Sequence, residues 1–173
     1  MLNLDVLIDE QTIYKRINEL ASQIENDYGN EELICVSILK GSFPFAWELT
    51  KRINKNNITF EFMEISSYEN ALESSGKINV KKDISCAISN KNVLIIEDII
   101  DSGNTLSYLT EYLNTKNPKS LKVATLLSKP SRRVVDVPVD YIGFTIEDKF
   151  VVGFGLDFEQ KHRNLPYIAY VKN

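Results

Sequence analysis

The sequence predicts an α/β fold with a largely parallel central sheet flanked by helices. Three observations carry this reading. Stripes of helical period alternate with short, continuously apolar runs such as LICVSIL and LKVATLLS, the pattern of strands buried on both faces. Turn residues, such as Lys40-Gly41-Ser42 and Ser102-Gly103-Asn104, fall between runs and stripes. The 173 residues, 43% apolar and 25% charged, suit one core, so a single domain over 1–173 is expected.

From Asp9 to Tyr28, Ile13, Ile17, Leu20, Ala21, Ile24 and Tyr28 form one helical stripe, with Asp9 as N-cap and Gly29 just past the end. Leu33 to Leu39 is a buried strand, and Pro44 suits the first turn of a helix reaching about Ile53. ITFEFMEISSY alternates as a strand. Residues 69–92 are polar and read as a long loop with room for short ribbon strands. VLIIED is a strand, LSYLTEYL a helix with Leu106, Leu109, Tyr112 and Leu113 on one face, and LKVATLLS another strand. Short apolar runs follow at Tyr141–Ile146, Val151–Gly155 and Tyr167–Val171.

Several chemistries are excluded. A single histidine, His162, rules out multi-histidine zinc catalysis. Cys35 and Cys86 are too few for a zinc ribbon or a disulfide framework, and suit a reducing cytoplasm. A formal charge of −4 argues against a general nucleic-acid or anionic-membrane binder. The N-terminus lacks the pattern of a signal peptide, and no run approaches the roughly 18 apolar residues of a membrane helix.

The chemistry points to VLIIEDIIDSGNTL. An apolar strand runs into Glu97 and Asp98, then Asp101, then Ser102, Gly103, Asn104 and Thr105 at the start of a helix. Three carboxylates are expected at or just beyond the end of a strand, where open α/β sheets bind ligands. The Ser-Gly-Asn-Thr turn would aim backbone N–H groups and hydroxyls at one point beside a positive helix end, a cradle for phosphate. Alone, that turn reads as an ordinary helix start; with the acids before it, the functional reading is favoured. It is neither a Walker loop nor a dinucleotide fingerprint.

That stretch resembles the 5-phosphoribosyl-1-pyrophosphate (PRPP) motif of the type I phosphoribosyltransferases. LKGSFPF, SSY, LLSKPSRR, VDVPVDYIGF, FVVGFGLDF and RNLPYI, in that order, resemble the hypoxanthine (hypoxanthine-guanine) phosphoribosyltransferase family, over about Ile8 to Lys172. The resemblance implies the type I fold, with a small hood built from the chain ends and a flexible active-site loop opening at Ser67 and Tyr68. It implies a Mg²⁺-dependent salvage enzyme that joins hypoxanthine or guanine to PRPP, giving IMP or GMP and pyrophosphate.

Residue by residue, it implies Asp101 as general acid/base at purine N7, with Glu97 and Asp98 on the ribose hydroxyls and a metal. Ser102, Gly103, Asn104 and Thr105 would take the 5′-phosphate. Lys40 and Gly41, at a cis peptide typical of the family, would meet pyrophosphate together with Arg163. Lys129 would donate to the purine O6, Phe150 stack on the ring, Val151 read its edge through the backbone, and Asp157 hold the second metal. Read without the resemblance, Lys40-Gly41 is a plain turn, Arg163 a surface arginine and Phe150 a core aromatic. Two departures stand out: few glycines after Tyr68, and His162 where an aromatic is common. A homodimer or homotetramer is implied, with no nucleic acid or membrane partner. The competing readings are a PRPP or nucleotide sensor on the same fold and, ranked last, a receiver-like phosphoacceptor.

Overall fold

The computed structural model describes residues 3–53, 57–67 and 78–172, with the backbone alone at Ser67 and Ile78. Its order is β1 (Leu4–Ile8), α1 (Glu10–Tyr28), β2 (Leu33–Leu39), α2 (Phe43–Arg52), β3 (Ile58–Ser67), β4 (Ile78–Lys82), β5 (Asn92–Ile100), α3 (Asn104–Asn114), β6 (Ser120–Ser128), β7 (Tyr141–Thr145), β8 (Val151–Val152) and β9 (Ile168–Val171). A single 3-10 turn, Pro130–Arg132, follows β6.

α1 starts where its chemistry says it should. The Asp9 carboxylate accepts the Thr12 N–H at 2.8 Å, satisfying a donor that has no partner inside the helix. The apolar stripe from Ile13 to Tyr28 is buried, each fully buried isoleucine or leucine stabilising by about 1.5–3 kcal/mol. Gly29, at φ 51°, closes the helix and donates to the Glu25 carbonyl.

The larger sheet has the order β4-β3-β2-β5-β6-β7, antiparallel only at β4. One core cluster packs α1 and α2 on it; another contains the α3 face Leu106, Leu109 and Leu113. A smaller sheet, β1-β9-β8, joins the N-terminal segment to the C-terminal one, with Leu4 opposite Val171. This is the hood that the resemblance implies.

Two points differ from the sequence reading, and a third, a ribbon strand, agrees with it. β1 was not expected: its five residues are mostly half-buried and its partner lies at the far end of the sequence. β5 does not end at Asp98 but continues to Ile100, still paired with β6 after β2 has diverged. Glu97 and Asp98 therefore lie inside the strand rather than at its end, and Asp101 is the acid just beyond it. The polar segment 69–92 contributes β4, which pairs with the end of β3 as a ribbon. Tyr68 and residues 69–77 lie outside the described residues.

Candidate active site

In an open parallel sheet, a crevice forms where successive strands are laid down in opposite directions. Here that point lies between β2 and β5: β3 follows on one side of β2, and β6 on the other side of β5. A cleft of about 360 Å³ opens there. Its walls include Lys40, Gly41, Glu97, Asp98, Asp101 and Arg163, with Ser102, Gly103 and Thr105 closing one end. Asn104 is exposed at the start of α3 and does not line it.

The acids are held by the strand. Glu97 is only 7% exposed. Burial, and then the charge of Asp98, push its carboxyl well above the usual carboxylate range. Asp98 is pushed up to about 6 by burial, with Asp157 adding to it; the Ile99 and Asp98 N–H groups and the Arg163 charge act against it. The Ile99 N–H donates to Asp98 Oδ1 at 2.7 Å. β5 carries this pair into the sheet, which leaves Glu97 buried and Asp98 half-buried.

Close packing explains the two glycines opposite. The Leu39–Lys40 peptide is cis, and Lys40 is exposed. A Cβ on Gly41 would lie 1.6 Å from Asp98 Oδ2, so this position has room for hydrogen alone. A Cβ on Gly155 would lie 1.9 Å from the Gly41 carbonyl oxygen, which packs the FVVGFG turn against the same loop.

The turn after Asp101 is set by its neighbours. The Ser102 carbonyl accepts the Val134 and Val135 N–H groups at 2.9 and 3.1 Å. Gly103 is the N-cap of α3 at φ 89° and offers no capping side chain; the Asn104 N–H donates to Ser102 Oγ at 3.4 Å, and the next N–H groups have no partner inside the helix.

Lys129, Phe150 and Val151 surround the cleft without lining it. Lys129 directly follows β6, its N–H donating to the Ile100 carbonyl at 3.0 Å. Its side chain is 8% exposed, with Nζ 3.5 Å from Asp148 Oδ1. Phe150 is 54% exposed, unlike a core aromatic, and meets Phe158 edge-to-face at 5.7 Å. It lies in a neighbouring hollow with Asp148 and Tyr170. Val151 is buried, paired with Tyr170 across β8 and β9. Arg163 reaches the Gly155 carbonyl at 2.7 Å and Asp157 Oδ1 at 2.7 Å, and Asp157 Oδ2 accepts the Gln160 N–H. His162, half-buried at φ 71°, makes no contact that gives it chemistry.

Reasoning from sequence missed Arg132 and Asp148. Arg132 Nε lies 3.2 Å from Asp101 Oδ1, and its Nη1 lies 3.7 Å from Asp148 Oδ2. Arg132 stands within the quoted LLSKPSRR motif, but nothing in the spacing tells which carboxylates it meets. Among the described residues no three His, Cys, Asp or Glu side chains gather as a metal site.

A switch-point crevice bordered by strand-borne acids and a helix-start turn is the plan of a phosphoribosyl transferase domain, and a profile of that domain matches residues 4–159. The hypoxanthine-guanine phosphoribosyltransferase of Bacillus subtilis is 44% identical over 167 residues, 96% of this chain and 92% of the relative. That of Staphylococcus aureus is 45% identical over 168 residues, 97% and 93% of the two chains. The crystal structure of a hypoxanthine-guanine phosphoribosyltransferase from Bacillus anthracis superposes with a TM-score of 0.93 at 46% identity, covering 99% of this chain and all of that one. The chain belongs to the hypoxanthine-guanine phosphoribosyltransferase family, within the type I class of these transferases.

Proposed function

We propose that this chain, as one domain over 1–173, transfers the 5-phosphoribosyl group of PRPP to hypoxanthine or guanine in the cytoplasm, with Mg²⁺ as cofactor. The products are IMP or GMP and pyrophosphate. The observation that carries this reading is the convergence of buried acids, a helix-start turn and cationic side chains on one crevice. A homodimer or homotetramer without nucleic acid or membrane partners completes the proposal.

In the reaction a purine nitrogen bonds to the ribose C1 while the bond from C1 to pyrophosphate breaks, the electron pair leaving with pyrophosphate. Glu97, buried, and Asp98, half-buried beside it, stabilise the cationic character that develops on the sugar and accept hydrogen bonds from its hydroxyls. Asp101, at the mouth of the crevice, receives the purine proton at N7. The free N–H groups of the α3 start, with Ser102, Gly103, Asn104 and Thr105, hold the 5′-phosphate. Lys40, Gly41 and Arg163 face the departing pyrophosphate, Arg163 offering a planar donor fork.

Lys129 donates to O6 of the base. A 6-amino purine would set a donor against this buried ammonium, a mismatch far more costly than a missing methylene. Phe150 provides the stacking face and Val151 the backbone at the purine edge; the loop implied to open at Ser67 and Tyr68 lies beyond Ser67 outside the described residues.

The donor set fits magnesium. Glu97 and Asp98 are held above their usual range by burial, which a divalent cation would relieve, and Mg²⁺ takes few carboxylates beside waters and substrate oxygens. Asp157 would have to release Arg163 or the Gln160 N–H to reach a metal directly. When bound, the ion would neutralise charge on the pyrophosphate.

The test is nucleotide formation from PRPP with hypoxanthine, guanine, xanthine and adenine. Asp101→Ala should lower kcat by about 10²–10⁴-fold with the fold intact. Unchanged IMP formation in that variant would sink the catalytic assignment, and PRPP binding without pyrophosphate release would favour a sensor.

A further inference from the structure

Asp101 and Lys129, the groups assigned to purine N7 and O6, lie on different strand ends, yet four alternating charges connect them. Asp101 meets Arg132 at 3.2 Å, Arg132 meets Asp148 at 3.7 Å, and Asp148 meets Lys129 at 3.5 Å. The backbone beneath Arg132 is fixed on both sides. Its N–H closes the 3-10 turn onto the Lys129 carbonyl, and the Val134 and Val135 N–H groups reach back to Ser102 beside Asp101. The side chains themselves are half-exposed: Arg132 at 55%, Asp148 at 50% and Asp101 at 45%. Exposed pairs of this kind add at most about 1 kcal/mol to stability, so holding the fold together does not account for the arrangement. It does, however, fix where two carboxylates and a buried ammonium point.

We propose that Arg132 is a positioning residue that ties Asp101 and, through Asp148, Lys129 into one unit, so that the groups facing N7 and O6 are set together. This rests on the reading of the site given above. A guanidinium suits the task because its fork can serve two carboxylates from two edges, whereas an ammonium is a single point of charge. The base then meets an acceptor and a donor already at the spacing its own neighbouring atoms require. A base presenting only one of the two matching groups leaves the other member of the unit unpaired.

Steady-state kinetics of Arg132→Gln, Arg132→Lys, Asp148→Asn and the Gln/Asn double variant, with each substrate varied in turn, provide the test. Arg132→Gln should lower kcat/KM for hypoxanthine by about 10–100-fold, the cost of an ångström-scale misplacement, while KM for PRPP stays within about twofold. Arg132→Lys should fall between Arg132→Gln and the wild type. The double variant should lose no more than the worse single variant, because both substitutions cut one chain. Hypoxanthine kinetics within about twofold of wild type in Arg132→Gln, losses that multiply in the double variant, or an equal rise in KM for both substrates would each overturn the assignment. If the wild-type chain forms no nucleotide, the underlying reading falls and this one with it; an active wild type with an unaffected Arg132→Gln removes this inference alone.

Discussion

The ends of β5 and β6 lie side by side, Ile100 opposite Ser128, but they manage charge in opposite ways. β5 brings Glu97 and Asp98 into the sheet, where burial drives both toward the neutral form. β6 delivers Lys129, just as buried, but with Asp148 within 3.5 Å. The first end keeps a charge demand that Arg163 offsets in part and that an incoming cation would meet. The second is already compensated by a carboxylate that a ligand must displace or share. Two adjacent parallel strands thus supply an unsatisfied site and a satisfied one, the pair that the proposed reaction calls for.

The contrast can be broken most severely at Gly41. Gly41→Ala would put a methyl 1.6 Å from Asp98 Oδ2, forcing the carboxylate or the loop to move. Nucleotide formation should fall by about 10²-fold or more while circular dichroism stays unchanged; near-normal turnover would show that Asp98 need not stay where β5 puts it. At the compensated end, Lys129→Met should lower kcat/KM for hypoxanthine relative to adenine by about 10²-fold, read from competing-base assays. An unchanged ratio would take O6 recognition away from Lys129.

Asp98→Asn sharpens the comparison through stability. The folded chain holds this carboxyl at about 6 rather than the ordinary 3.8, so the protonated form is the one that folding favours. Its stabilising contribution is complete below the ordinary value and disappears as pH rises to about 6. Between pH 4 and pH 7 the wild type should therefore lose up to about 3 kcal/mol relative to Asp98→Asn, measured by urea melts without metal. Parallel pH curves for the two proteins would remove the claim of an unmet charge. The smallest effect belongs to the exposed pair of Lys119 with Glu31, where Lys119→Ala should change stability by less than about 1 kcal/mol.

The sequence made visible whatever local chemistry decides. LICVSIL is β2 to the residue, because a run apolar at nearly every position has no solvent face to misplace. The α1 stripe, its Asp9 cap and Gly29 were equally legible. What distant partners decide was hidden. β1 pairs with a strand more than 160 residues away, and β5 outruns its acids because β6 continues to pair with it. The site split along the same line. The acids and the turn lie in one contiguous stretch and could be read there. The Asp101–Arg132–Asp148–Lys129 chain draws on three segments, and no periodicity relates them.

The hood carries a consequence for the order in which the chain becomes competent. Leu4 pairs with Val171, the Lys172 N–H donates to the Asn3 carbonyl, and the Val171 N–H donates to the carbonyl of Phe150. During synthesis β1 has no partner until β9, far along the sequence, has been made. The six strands of the larger sheet lie within residues 33–145 and can pair beforehand, although Arg163 of the crevice wall comes later. The strand-borne acids can thus be set in the sheet while β8, beside Phe150, is still unpaired. Synthesis of β9, rather than formation of the larger sheet, is then the step that completes the hood.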